Sequence, residues 1–156
     1  MADAAQKSAL FPLFGGISVL LAGYLSDRLG KSGRAAIIFY GMLLSVGVLL
    51  VLAFAGFGQS KTAPVALVTL VAFLMIGPYS YLAGAISLDF GGKQGSATAS
   101  GLIDGAGYLG GVLAGNSFAS VAVMWGWKGA FASLAAIALL SSVAAGVYLH
   151  HQRRTV

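Results

Sequence analysis

The chain has 156 residues, of which 58% are hydrophobic and only 8% are charged. A soluble domain carries about 25% charged residues because its surface faces water, so this composition excludes an ordinary soluble globule and indicates a surface in lipid. The net charge of +5 comes from bases that lie between apolar blocks, which argues against a nucleic-acid-binding surface. Cysteine is absent, which excludes disulfides and thiolate metal sites.

Apolar segments follow one another along the chain, and each is long enough to be a membrane-crossing helix, which needs about 20 apolar residues. The five segments cover residues 10–25, 35–57, 64–88, 98–123 and 129–149. The connections between them are short, with no linker that would separate two domains. We therefore expect an all-α membrane protein with about five transmembrane helices, forming a single membrane domain over residues 1–156.

Basic residues are distributed unevenly between the two sides of these predicted helices, and basic loops favour the cytoplasm. One side carries Arg28, Lys31, Arg34, Lys93, Arg153 and Arg154, and the other carries Lys7, Lys61 and Lys128. This distribution predicts that the N-terminus lies outside and the C-terminus in the cytoplasm. We expect a multi-pass protein of the plasma (inner) membrane.

Gly77 and Pro78 lie in the middle of the third segment. Proline removes a helical hydrogen bond, so a kink is expected there. Tyr79 and Tyr81 flank this point and face different sides of the helix. At most one of them would face a substrate cavity, and packing is the alternative for each.

Asp104 is the clearest ionisable residue within an apolar segment, in the stretch GLIDGAGYLGG. A carboxylate near the bilayer centre costs about 2.5–3.5 kcal/mol, so it usually faces protein or a water-filled cavity. Tyr108 lies one turn further on the same helix face. These two residues are candidates for a substrate site. The alternative is that Asp104 pairs with a base or the backbone near the cytoplasmic end.

Glycines in the fourth segment recur at intervals of four residues, which places small residues on shared helix faces and favours close helix packing. These glycines are Gly101, Gly105, Gly107, Gly111 and Gly115. Static packing and a sliding interface are both compatible with this pattern.

No arrangement typical of an enzyme is present, because the chain contains no glutamate and no paired carboxylates or nucleophilic triad. His150 and His151 follow the last segment without further ligands at metal-binding spacing. We expect no enzymatic activity, no metal site and no cofactor.

The connection after the first segment reads GYLSDRLGKSGR, with Gly23, Asp27, Arg28, Gly30 and Lys31 at fixed spacing. On charge alone it is a solvated basic loop. A second interpretation is that Asp27 accepts from the amides of a neighbouring helix N-terminus, where the dipole favours an anion.

That connection resembles the G-x-x-x-D-R-x-G-R/K motif of the major facilitator superfamily. The stretch IGPYSYLAGAISLDFGGKQGSATASGLIDGAGYLGG resembles the tenth and eleventh helices of its organophosphate:phosphate antiporters. The resemblance covers nearly the whole chain after Ala9. It implies that the five helices are the eighth to twelfth of a C-terminal bundle, and that the chain is a C-terminal fragment of a longer transporter.

The resemblance implies alternating-access exchange of organic phosphate esters, such as glycerol phosphate or hexose phosphate, for inorganic phosphate. It implies a conformational gate at Gly23, Asp27, Arg28 and Lys31, and a cavity-facing Tyr108. The family's phosphate-binding arginines lie in its first and seventh helices, so the missing N-terminal helices are expected partners. Membrane lipid is a further expected partner. The alternative is a non-transporting remnant or assembly partner without its own substrate site.

Overall fold

The computed structural model describes the backbone of residues 2–58, 60 and 62–154, and side chains in these ranges from residue 6 onward. Helices run over Ala2–Phe54, Thr62–Tyr81 and Ser87–Arg154, with a π-helix at Leu82–Ile86. Two stretches, Gln6–Phe54 and Thr62–Arg154, are long and apolar enough to cross a membrane. The predicted all-α membrane fold is confirmed.

Glycines with an unusual backbone conformation divide the two longest helices. Gly30 has φ 64° and ψ −163°, Gly92 has φ 59° and ψ −166°, and Gly126 has φ 69° and ψ −177°. This region of backbone space is essentially restricted to glycine. The divisions give five helices, which we number α1 (2–29), α2 (31–54), α3 (62–91, including the π-helix), α4 (93–125) and α5 (127–154).

The connections differ from the predicted loops. The stretches DRLGKSGR, DFGGKQGSA and MWGWK are helical except for one positive-φ glycine in each, and α2 ends at Phe54 rather than at the predicted Phe57. A single glycine suffices to reverse the chain: Ala22 and Ile38, eight residues to either side of Gly30, meet in one buried cluster.

Buried side chains come from four of the helices. One cluster joins α2, α3 and α5 around Val46, Val71 and Ala138. A second joins α1, α2, α3 and α5 around Ala22, Tyr81 and Ala145. Within the described ranges, α4 contributes no buried side chain, so one long apolar helix lies against the rest with most of its surface uncovered.

Close backbone contacts surround Gly77 and Pro78 in α3. Proline lacks the N–H that would bond to the carbonyl of Leu74. A Cβ atom at Gly41 of α2 would lie 2.7 Å from the Leu74 carbonyl oxygen and 3.0 Å from Pro78 Cγ. On the other side, a Cβ atom at Gly77 would lie 2.8 Å from the carbonyl oxygen of Ser18. The helix stays α-helical through Pro78, and its irregular turn follows at Leu82–Ile86.

The substitution Gly41→Ala is therefore expected to lower the free energy of unfolding by about 1–3 kcal/mol, the usual cost of overpacking. The control is Gly47→Ala on the same helix, where a Cβ atom meets nothing within 4 Å. That change should be neutral or stabilising by up to about 1 kcal/mol, because alanine is the better helix former. Unfolding in detergent, followed by circular dichroism, compares the two. Equal effects would contradict the close contact.

Candidate functional site

An ion-pair cluster joins the start of α2 to the end of α3. Arg34 Nη1 donates to Asp89 Oδ2 at 2.8 Å, and Lys31 Nζ lies 3.4 Å from Asp89 Oδ1. The Arg34 and Asp89 side chains are 17% and 16% exposed, whereas Lys31 is 55% exposed. One carboxylate thus holds two bases at the end of the bundle that carries the four arginines of the chain, which we call the basic end.

Local structure explains how these groups meet. Gly30 starts α2 abruptly, so Lys31 and Arg34, three residues apart, share one face of its first turn. Asp89 follows the π-helix and precedes the reversal at Gly92. The buried Nε atom of Arg34 has no hydrogen-bond partner among the described residues. The cluster therefore ties the two helices together, but leaves one donor unused within the described chain.

A second group of polar side chains lies where α3 meets α4. The Tyr79 hydroxyl faces Gly107, because a Cβ atom there would be 2.8 Å from its oxygen. Asp104 lies one turn before Gly107, and Tyr108 lies one turn beyond Asp104. We call Tyr79, Asp104 and Tyr108 the polar face. Tyr79 and Tyr108 are 46% and 79% exposed, and Asp104 is half-buried.

The polar face lies deep along the helices. Tyr108 is within about 2 Å of the midpoint of α4, and Asp104 is about 8 Å from it, at 1.5 Å of rise per residue. No ion pair or hydrogen bond joins Asp104 to another side chain in residues 6–58, 60 and 62–154. The structure thus places in α4 a half-buried carboxylate without an ion pair or side-chain hydrogen bond among these residues, one turn from Tyr108 and one turn from the glycine that Tyr79 faces.

Comparisons with known proteins agree with the sequence motifs. The chain is 35% identical over 141 residues to the glucose-6-phosphate exchanger SLC37A2 of Xenopus laevis, covering 85% of this chain and 27% of that protein. It is 34% identical over 141 residues to the membrane sensor protein UhpC of Escherichia coli, covering 88% and 29%. It is 30% identical over 136 residues to a probable hexose phosphate transport protein of Chlamydia pneumoniae, covering 85% and 29%.

The chain belongs to the organophosphate:phosphate antiporter-like family of the major facilitator superfamily. It spans less than a third of the length of these relatives. No family model matches this antiporter-like chain, and no solved structure matches it.

Only part of the superfamily motif of this antiporter-like chain contributes to the ion-pair cluster. Gly30 makes the reversal and Lys31 contacts Asp89. The Arg28 guanidinium carbon lies 4.5 Å from the centre of the Tyr24 ring. Asp27 is exposed, and no hydrogen bond or ion pair joins it to another described residue. Gly23 is exposed, with open space around it.

Other residues singled out in the sequence occupy different surroundings. Tyr81 is 3% exposed and donates its hydroxyl to the carbonyl of Ala22 at 2.6 Å, so it holds α3 to α1 and lies away from the polar face. A Cβ atom would meet nothing within 4 Å at Gly101, Gly105, Gly111 or Gly115. Close packing at these glycines stays a prediction. The described residues contain no group of three or more His, Cys, Asp or Glu that would hold a metal.

Proposed function

We propose that this chain forms part of a secondary transporter that exchanges organic phosphate esters for inorganic phosphate, with the polar face along its substrate path. The observation that carries the proposal is Asp104. A carboxylate near the bilayer centre costs about 2.5–3.5 kcal/mol, so it usually faces the protein interior or a water-filled cavity, and in a transporter the cavity is the substrate path. The similarity to sugar phosphate exchangers supplies the class of ligand.

The chemistry of the polar face suits the sugar part of such a ligand. The hydroxyls of Tyr79 and Tyr108 both donate and accept hydrogen bonds. Asp104 accepts hydrogen bonds from sugar hydroxyls, whereas its charge repels phosphate. Every arginine of the chain lies at the basic end, at positions 28, 34, 153 and 154. Phosphate recognition is strongest with charged donors, so bases from helices outside this chain would bind the phosphate.

The uncovered surface of α4 supports the same assignment. Large apolar side chains along it, such as Leu102, Leu109 and Val112, are about 70% exposed. We propose that the chain is the C-terminal part of the transporter, helices eight to twelve, and that preceding helices cover this surface.

The ion-pair cluster would serve as a gate in this account. Alternating access requires one end of the helix bundle to open while the other stays closed. Asp89 links α2 to α3 through Lys31 and Arg34 and so holds these helices together, and we propose that these contacts rearrange when the basic end opens. The excess of bases favours a cytoplasmic position for this end, with the N-terminus outside.

The test uses the complete transporter in vesicles loaded with inorganic phosphate, with uptake of labelled glucose 6-phosphate as the readout. Asp104→Asn is expected to change the exchange rate, or the preference among a panel of phosphate esters, by about tenfold, equal to about 1.4 kcal/mol. Asp104→Glu should retain more of the activity. The control is Ser133→Ala in α5, whose hydroxyl bonds only within its own helix. Unchanged kinetics across the panel would remove Asp104 from the site.

Sensing without transport is a second candidate function. Membrane sensor proteins named UhpC, from Escherichia coli and Salmonella typhimurium, are 34% and 33% identical to this chain. A sensor would bind sugar phosphate at the same polar face and show no exchange. Saturable binding without counterflow in the vesicle experiment would favour this function. Absence of both would favour a remnant or assembly partner.

A further inference from the structure

A groove of about 670 Å³ opens between α1, α2 and α3, away from the polar face. Its walls are almost entirely apolar and include Leu21, Leu25 and Leu44. On α1 the lining runs from Ser18 to Leu29, about 17 Å along the helix axis at 1.5 Å per residue. That length is close to half of the roughly 30 Å hydrocarbon core, which is the depth of one leaflet.

The lining has almost no polar group that a bound molecule would need to hydrogen-bond. The Ser18 hydroxyl already donates to the carbonyl of Phe73 within the bundle. The rings of Tyr24 and Tyr40 contribute to the walls and are half-exposed. The groove therefore fits a flexible hydrocarbon chain.

Positive charge lies at the end of the groove nearest the basic end. Tyr24 lines the groove, and the exposed Arg28 guanidinium lies against its ring at 4.5 Å. Asp27 lies one turn from Tyr24 on α1 but does not line the groove. Asp89 is already occupied by Lys31 and Arg34. The guanidinium of Arg28 is thus a positive charge in direct contact with a wall residue of the groove.

We propose that the groove binds one acyl chain of an anionic phospholipid, with the lipid phosphate held by Arg28. Basic pockets between transmembrane helices bind anionic head groups, and each base near the membrane surface contributes about 1 kcal/mol. A free phosphate ion would use Arg28 but leave the groove empty, so groove and charge together select a lipid. The site stands apart from the polar face and holds whether or not the protein transports sugar phosphates.

The test places the complete transporter in lipid nanodiscs with equal amounts of phosphatidylglycerol and phosphatidylcholine, and counts retained lipids by native mass spectrometry. Wild type should retain phosphatidylglycerol in excess. Arg28→Gln should lower the ratio of the two lipids about fivefold, which equals about 1 kcal/mol. Ala36→Leu, which fills the groove, should lower the total lipid retained.

The matched controls are Arg154→Gln, an exposed base at the same end, and Ala136→Leu, an exposed position on α5 outside the groove. Both should retain lipid as wild type does. An unchanged lipid ratio in Arg28→Gln, or unchanged total lipid in Ala36→Leu, at wild-type helical content, would overturn the proposal. Release of phosphatidylglycerol by millimolar inorganic phosphate would also overturn it, by showing that the site binds the free ion.

Discussion

Replacing Asp89 by asparagine is expected to lower the free energy of unfolding by about 2–3 kcal/mol. Removing one partner of a buried ion pair costs about 3–5 kcal/mol, because the remaining charge stays buried without a partner. Arg34 keeps 17% of its side chain exposed, so water offsets part of this cost. Lys31 is more than half exposed and adds little. Titration of the detergent-solubilised chain with denaturing detergent, followed by circular dichroism, measures the change.

A control and a double substitution distinguish the effect of losing the ion pair from the effect of removing a charge anywhere on the chain. Asp27→Asn removes an equal charge from an exposed side chain and should change the free energy of unfolding by less than about 0.5 kcal/mol. Arg34→Gln combined with Asp89→Asn should cost less than the sum of the two single changes, with a coupling energy of about 1–3 kcal/mol. Additive single effects, or equal effects of Asp27→Asn and Asp89→Asn, would contradict the cluster.

The helices were the most predictable part of the fold. Lipid requires backbone hydrogen bonds to be made within each segment, so apolar length alone locates membrane helices. The reversals were less predictable, because nothing in the sequence shows which glycine adopts positive φ. Gly91, Gly92 and Gly95 lie close together, and only Gly92 has φ of 59°. Three connections predicted as loops are therefore single-residue turns.

The Arg34–Asp89 pair was missed, although a signal for it existed. The distribution of bases placed the first and third connections on the same side, and the two residues carry opposite charges. Their separation of 55 residues means that the pairing depends on how α2 and α3 are aligned along the bundle. That alignment includes the close approach of Gly41 to the Leu74 carbonyl and the Pro78 ring, which the sequence alone does not show.

The surroundings of Tyr79 and Tyr81 are also only partly predictable from the sequence. Their separation by two residues turns them about 200° apart on a helix, so their opposite orientation follows from the sequence. Which of them is buried depends on α1, because the carbonyl of Ala22 is the acceptor for Tyr81. For the glycine-rich side of α4, the sequence predicts more than the structure tests. The sequence predicts close packing there, but a Cβ atom at Gly101, Gly105, Gly111 or Gly115 would meet nothing within 4 Å among the described residues, so close packing stays a prediction.

The chain contains no cysteine, so a cysteine introduced at one position reports on that position alone. Tyr108→Cys tests whether the polar face lines a water-filled cavity, which is the central claim of the proposed function. A thiol in water ionises and reacts, whereas apolar surroundings raise its pKa and suppress the reaction. The control is Leu140→Cys on α5, where the native side chain is 72% exposed, close to the 79% of Tyr108.

The decisive measurement is the rate at which a water-soluble, membrane-impermeant maleimide labels these two variants of the complete transporter in sealed vesicles. The cavity account predicts labelling of Tyr108→Cys at least tenfold faster than that of Leu140→Cys, and slower labelling in the presence of glucose 6-phosphate. If Tyr108→Cys is as unreactive as Leu140→Cys from both sides of the membrane, the polar face does not line a substrate path.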